Sequence, residues 1–108
     1  MSEFDTKFIE NCGLVGVSHV DVLERLASYA ESPSHTGPLD LNLLLVARNV
    51  SGAVEALFPG PEHSQFVGRI HELAKALTQS ATLHTGITIQ GQLSATLRDY
   101  AKKCDADA

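Results

Sequence analysis

A chain of 108 residues has room for one domain with a single hydrophobic core. Its net charge of −5 disfavours nucleic acid and anionic membrane surfaces as partners, because phosphate groups bind best to proteins with a basic excess. No apolar run has the length of a signal peptide or the roughly 20 residues that cross a membrane, so we expect a soluble, cytoplasmic protein.

Apolar residues at helical spacing predict a short first helix over 4–12. Ser18 is followed by Asp21 three residues later, which is typical of a helix N-cap, so a second helix is predicted over 18–30.

A loop is predicted over 31–38, because this segment holds two prolines, a glycine and several small hydroxyl residues. A third helix is predicted over 39–58, and Pro59-Gly60-Pro61 ends it. Residues 41–46 are apolar on almost every side, which is typical of a buried central helix.

Two further apolar stripes predict a fourth helix over 62–84 and a fifth over 88–103. Between them, Thr85–Gly91 contains two glycines and the β-branched run Ile87-Thr88-Ile89, so a break is predicted there. One alternative stays open. A helix that continues through Thr85–Gly91 would form one long rod, whose apolar stripe would need a partner chain to cover it.

The predicted fold class is all-α: an antiparallel four-helix bundle with a short additional N-terminal helix, in a single domain over 1–108. Short connections favour antiparallel neighbours. Cys12 and Cys104 form no metal motif, and the sequence leaves open whether they are paired.

No metal site and no cofactor are predicted. Paired Glu-x-x-His motifs, which di-iron bundles require, are absent from the sequence. We expect solvated or locally hydrogen-bonded side chains for all five histidines, His19, His35, His63, His71 and His84.

The segment His71-Glu72-Leu73-Ala74-Lys75 resembles the site of histidine phosphotransfer domains, which are helical bundles with an exposed histidine. Their usual pattern is His-x-x-Lys-Gly. Here the lysine comes one position later and no glycine follows it. The resemblance implies that His71 would carry the phosphoryl group and that Lys75 would contact it.

Residues 8–27 resemble a helix-turn-helix, in which Gly16-Val17-Ser18 would form the turn before the recognition helix. This resemblance implies DNA binding. Asp21 and Glu24 would then face the phosphate groups, which their charge opposes.

The sequence contains no nucleophile elbow, phosphate-binding loop or dinucleotide fingerprint, so no enzymatic activity is predicted. The function that we expect is a non-enzymatic, regulatory protein interaction module. Its partner would be another protein or a second copy in a homodimer. The predicted contact residues are His71 and Lys75 on the fourth helix and His35 in the predicted loop over 31–38.

Overall fold

The computed structural model describes residues 3–32, 39–80 and 82–107. These residues form five α-helices and one 3-10 turn, and they contain no strand. The predicted all-α class is confirmed. The elements are α1 (Glu3–Asn11), α2 (His19–Glu31), α3 (Leu39–Leu57), the 3-10 turn (Pro61–His63), α4 (Ser64–Thr78) and α5 (Leu83–Asp107).

The connection between α1 and α2 turns at two glycines with positive φ, Gly13 at +67° and Gly16 at +75°. Arg25 on α2 donates a hydrogen bond of 2.9 Å to the carbonyl of Gly13, which attaches this connection to α2. The predicted N-cap is confirmed, since Ser18 Oγ accepts a hydrogen bond of 3.2 Å from the backbone N–H of Asp21.

Helices α2 to α5 form the bundle, in which α2 packs mainly against α5 and α3 mainly against α4. Neighbours run antiparallel. For example, Phe66 near the start of α4 stacks on Tyr100 late in α5, whereas Leu77 at the end of α4 approaches Gly86 early in α5. All four helices supply fully buried core residues, including Leu23, Leu26, Val46, Val50, Val54, Ile70, Leu77, Leu93 and Leu97.

The additional N-terminal helix α1 packs against α3. Phe8 on α1 meets the ring of Tyr29 on α2 edge-on, with centroids 4.9 Å apart. Ile9 and the following Leu14 are buried in the common core. The predicted short helix therefore belongs to the packed domain.

The break predicted at Thr85–Gly91 is wrong in position. The helix predicted over 62–84 ends earlier, at Thr78, and the helix predicted over 88–103 begins earlier, at Leu83. The segment Thr85–Gly91 is therefore continuous helix. The chain still forms a hairpin, because the turn lies just before this segment.

The hydroxyl group of Thr82 decides where α5 begins. Its Oγ1 accepts a hydrogen bond of 3.1 Å from the backbone N–H of Thr85, so it caps the first turn. The carbonyl of Thr82 also accepts the backbone hydrogen bond of Gly86, at 3.0 Å. Together with the burial of Leu93, Leu97 and Ala101 in the core, this cap offsets the low helix propensity of the residues that follow it.

Candidate functional site

A groove runs between α3 and α4, with a volume of about 480 Å³, and it contains two of the three predicted contact residues. His71 and Lys75 line its α4 wall, one turn apart. We call it the α3–α4 groove; its lining residues are Ala47, Arg48, Ser51, Gly52, Glu55, His71, Ala74, Lys75 and Thr78. The third predicted contact residue, His35, lies outside the described residues.

His71 is held against α3 by two contacts. Its Nδ1 shares a hydrogen bond of 2.5 Å with Ser51 Oγ, and its Nε2 lies 4.0 Å from Glu55 Oε2. The His71 side chain is 39% exposed, so one edge of the ring remains accessible from the groove. The resulting order of hydroxyl, imidazole and carboxylate resembles the arrangement that activates a serine nucleophile.

The backbone next to Ser51 cannot supply an oxyanion hole. Ser51 lies inside α3, where the backbone N–H groups on either side of it donate to carbonyls one turn earlier. They are therefore not available to stabilise a developing oxyanion, which is usually the largest catalytic contribution in acyl transfer. The contacts of Ser51, His71 and Glu55 instead link α3 to α4.

The same contacts disfavour phosphotransfer through His71. Nδ1 is engaged by Ser51, and a phosphoryl group on Nε2 would lie beside the carboxylate of Glu55, which would repel it. The predicted partner Lys75 is exposed one turn later on the same wall of the groove. This geometry favours His71 as a contact residue over His71 as a phosphoryl carrier.

The α3–α4 groove has a floor of small residues and an apolar end. Ala47, Gly52 and Ala74 carry little or no side chain, so another helix could approach the backbone closely. Leu44 and Leu41 lie one and two turns before Arg48 on the same face of α3. They are 45% and 42% exposed.

The predicted burial of residues 41–46 on every side is therefore wrong at these two leucines. The reason is tertiary. Helix α4 ends at Thr78, which lines the groove together with Ala47 and Arg48. Leu44 and Leu41 lie beyond this lining, and their exposure shows that α4 does not cover them.

A second groove, of about 610 Å³, lies on the other side of α4, where α4 meets α5. The rings of Phe66 and Tyr100 stack there, with centroids 4.0 Å apart and planes only 4° from parallel. The rim carries both signs of charge, from Glu62, Arg69, Asp99 and Lys103. Because the rim has as many cations as carboxylates, its charge favours neither an anionic nor a cationic ligand.

An aromatic cluster closes the end of the bundle next to this second groove. His63 is only 9% exposed, and its Nδ1 shares a hydrogen bond of 2.8 Å with Tyr100 Oη. The rings of Phe58 and His19 lie with centroids 5.1 and 5.2 Å from that of His63. The prediction that every histidine is solvated or locally bonded is therefore wrong for His63.

Sequence reasoning missed this cluster because its partners lie far apart along the chain. His63 and Tyr100 are 37 positions apart. The available signal was that Phe66 and Tyr100 both lie on apolar stripes, and antiparallel packing of those stripes brings their rings together. Nothing in the spacing of His63 alone indicates that it joins them.

Two thiols and the described His, Asp and Glu side chains complete the inventory of reactive groups. Cys12 and Cys104 are not joined by a disulfide bond, and burial raises the pKa of Cys12, which lowers its thiolate fraction. Among residues 3–32, 39–80 and 82–107, no three His, Cys, Asp or Glu side chains are arranged to hold a metal ion.

The segment that resembles a helix-turn-helix has a long connection. Helix α1 ends at Asn11 and α2 begins at His19, whereas the DNA-binding motif joins its helices by a turn of about three or four residues. The exposed face of α2 carries Asp21 and Glu24, which would oppose DNA phosphates.

No described helix has the length and apolar character needed to cross a membrane. Comparison with protein-family models, with curated proteins and with solved structures found no match to this chain.

Proposed function

We propose that this protein is a non-enzymatic interaction module that binds another protein through the α3–α4 groove. One observation carries the proposal: Leu41 and Leu44 are exposed in line with a groove whose floor is made of small residues. Exposed apolar side chains that continue a groove are typical of surfaces on which a partner docks.

The groove has the dimensions that a short helix needs. The α3 wall of the groove and the two exposed leucines that precede it together extend from Leu41 to Glu55, a distance of about 21 Å at 1.5 Å per residue. That distance corresponds to about four turns of a partner helix, enough to place three or four side chains on the floor and walls.

We further propose a regulatory role in the cytoplasm. The partner in this proposal is a different protein or a second copy of the chain. Light scattering at micromolar concentration separates these two cases, because only self-association changes the mass of the purified protein.

The proposal predicts that Leu44→Ser abolishes recovery of the partner from an extract of the native cells. The free energy of unfolding should change by less than about 1 kcal/mol, because the side chain is nearly half exposed. The matched control is Ile87→Ser on α5, where the replaced side chain is exposed to a similar extent, 49%. This control should retain the partner.

A photo-crosslinking amino acid at position 44 tests the same surface directly, with position 92 on α5 as the control. We expect a crosslinked partner from position 44 alone. If Leu44→Ser retains the partner and position 44 gives no crosslink, the proposed function is wrong. If Leu44→Ser and Ile87→Ser reduce recovery of the partner equally, the interaction surface lies elsewhere.

A further inference from the structure

The α3–α4 groove is locally basic in a protein that is acidic overall. Arg48 on the α3 wall and Lys75 on the α4 wall face the same space, and His71 lies between them and Glu55. The chain as a whole has a net charge of −5. The lining of this groove holds two permanent cations and one carboxylate, whereas the lining of the second groove balances two cations with two carboxylates.

We propose that the occupant of the α3–α4 groove is an acidic amphipathic helix of the partner protein. Its apolar face would cover Leu41 and Leu44, and its carboxylates would meet Arg48 and Lys75. The inference rests on the proposed function, and it adds the chemical class of the partner segment.

Charge and shape together select this occupant. Helical walls and a floor of small residues accept a helix, whose side chains three and four positions apart fall on one face. Carboxylates next to its apolar stripe can reach both walls at once. A basic helix would place its charges against Arg48 and Lys75, and like charges across an interface disfavour binding.

Glu55 makes the two ends of the α3–α4 groove differ in charge. It lies at the end farthest from Leu44, beside His71, and it would repel a carboxylate placed there. The acidic residues of the partner helix therefore belong in the half that lies between Leu44 and Lys75. A neutral or basic residue suits the half near Glu55.

The test is a selection from displayed 18-residue amphipathic helices whose flanking positions vary among Glu, Lys and Gln. The library is selected on the full-length protein and, separately, on the charge-reversed variant Arg48→Glu/Lys75→Glu. We expect the protein to select Glu and the variant to select Lys. Each selected peptide should bind the other protein about tenfold more weakly, because two exposed charge contacts are inverted.

The matched control is Lys7→Glu/Lys102→Glu, which changes the net charge equally at two exposed positions outside the groove. It should select Glu, as the unmodified protein does. Circular dichroism establishes that each variant is helical. Should Arg48→Glu disturb packing, the single change Lys75→Glu at an exposed position serves in its place.

Selection of Lys or Gln by the unmodified protein overturns the inference, and so does selection of the same charges by the protein and the charge-reversed variant. Failure of the inference is distinguishable from failure of the proposed function. If a partner is crosslinked at position 44 but the protein does not select acidic helices, the docking surface stands and only the acidic occupant is wrong.

Discussion

His63 shows how one buried polar side chain is stabilised by tertiary contacts. Its ring lies among Phe58, His19 and Tyr100, and its hydrogen bond to the hydroxyl of Tyr100 satisfies Nδ1 away from water. On the other side, Glu62 Oε1 lies 3.5 Å from Nε2. These contacts join the start of α4 to the end of α5.

Tyr100→Phe should therefore destabilise the protein although it preserves the stacked ring. The change leaves a buried nitrogen of His63 without its partner, which costs about 1 to 3 kcal/mol. Chemical denaturation measures the loss. In a double-mutant cycle with His63→Phe, we expect the two changes together to cost less than the sum of the single changes. Additive costs would show that the hydrogen bond contributes nothing.

For His71, the sequence predicted the partial exposure of the side chain but not its contacts. Its place on the flank of the α4 stripe predicted partial exposure, and the side chain is 39% exposed. Its hydrogen bond to Ser51 joins positions 20 residues apart on different helices. That contact depends on how α3 and α4 align, which the pattern of either helix alone does not specify.

At the scale of the helices, α5 tolerates two glycines in its first three turns for different reasons. A Cβ atom at Gly86 would lie 2.8 Å from Leu43 Cδ1 and 3.3 Å from Ser80 Oγ, so glycine allows α5 to pack closely there. At Gly91 a Cβ atom would meet no atom within 4 Å. Glycine is thus required by packing at the first position only.

Gly91→Ala should stabilise the protein by up to about 1 kcal/mol, because alanine has the higher helix propensity and occupies open space. Gly86→Ala should be less stable than Gly91→Ala, because the new methyl group displaces the buried side chain of Leu43. Thermal and urea unfolding of both variants measure the difference. Equal gains at the two positions would contradict the close packing of α5 on α3.

At the scale of the whole molecule, Glu31 joins the end of α2 to the middle of α5. Arg98 donates to both of its carboxylate oxygens, at 3.1 and 2.9 Å, and Ser94 Oγ donates at 2.6 Å. These hydrogen bonds, that of Arg98 first, lower the pKa of Glu31 from 4.5 to about 2. The carboxylate and Arg98 are each about half exposed, so solvent screens the pair.

The lowered pKa of Glu31 makes stability depend on pH. The carboxylate is ionised more readily in the folded state, so its contribution to the stability of the fold is fully present above about pH 4.5. It is lost as the pH falls towards 2. Urea unfolding between pH 6 and pH 2.5 should show the stability advantage over Glu31→Gln shrinking with acid. Glu10→Gln, at an exposed position on α1, is the control for the same chemical change. An advantage that is independent of pH would contradict the assignment.

What the sequence could predict depends on how far apart along the chain the interacting residues lie. Helix existence, the Ser18 cap and the all-α class follow from spacing and capping within a few residues. The break before α5 was misplaced because the cap at Thr82 and the burial of the α5 stripe in the core together offset the low helix propensity of Thr85–Gly91. For the site, His71 and Lys75 were predicted from the flank of one helix, whereas Leu41 and Leu44 were assigned to the interior.

Local patterns of apolar and capping residues were enough to determine that this chain forms amphipathic helices, because those patterns act through neighbours one turn away. The tertiary structure decided which stripes meet, that α4 stops short of Leu44, and that Arg48 and Lys75 face one groove. These features depend on the lengths and alignment of different helices. Side chains on separate helices acquire a common environment only when the core has packed.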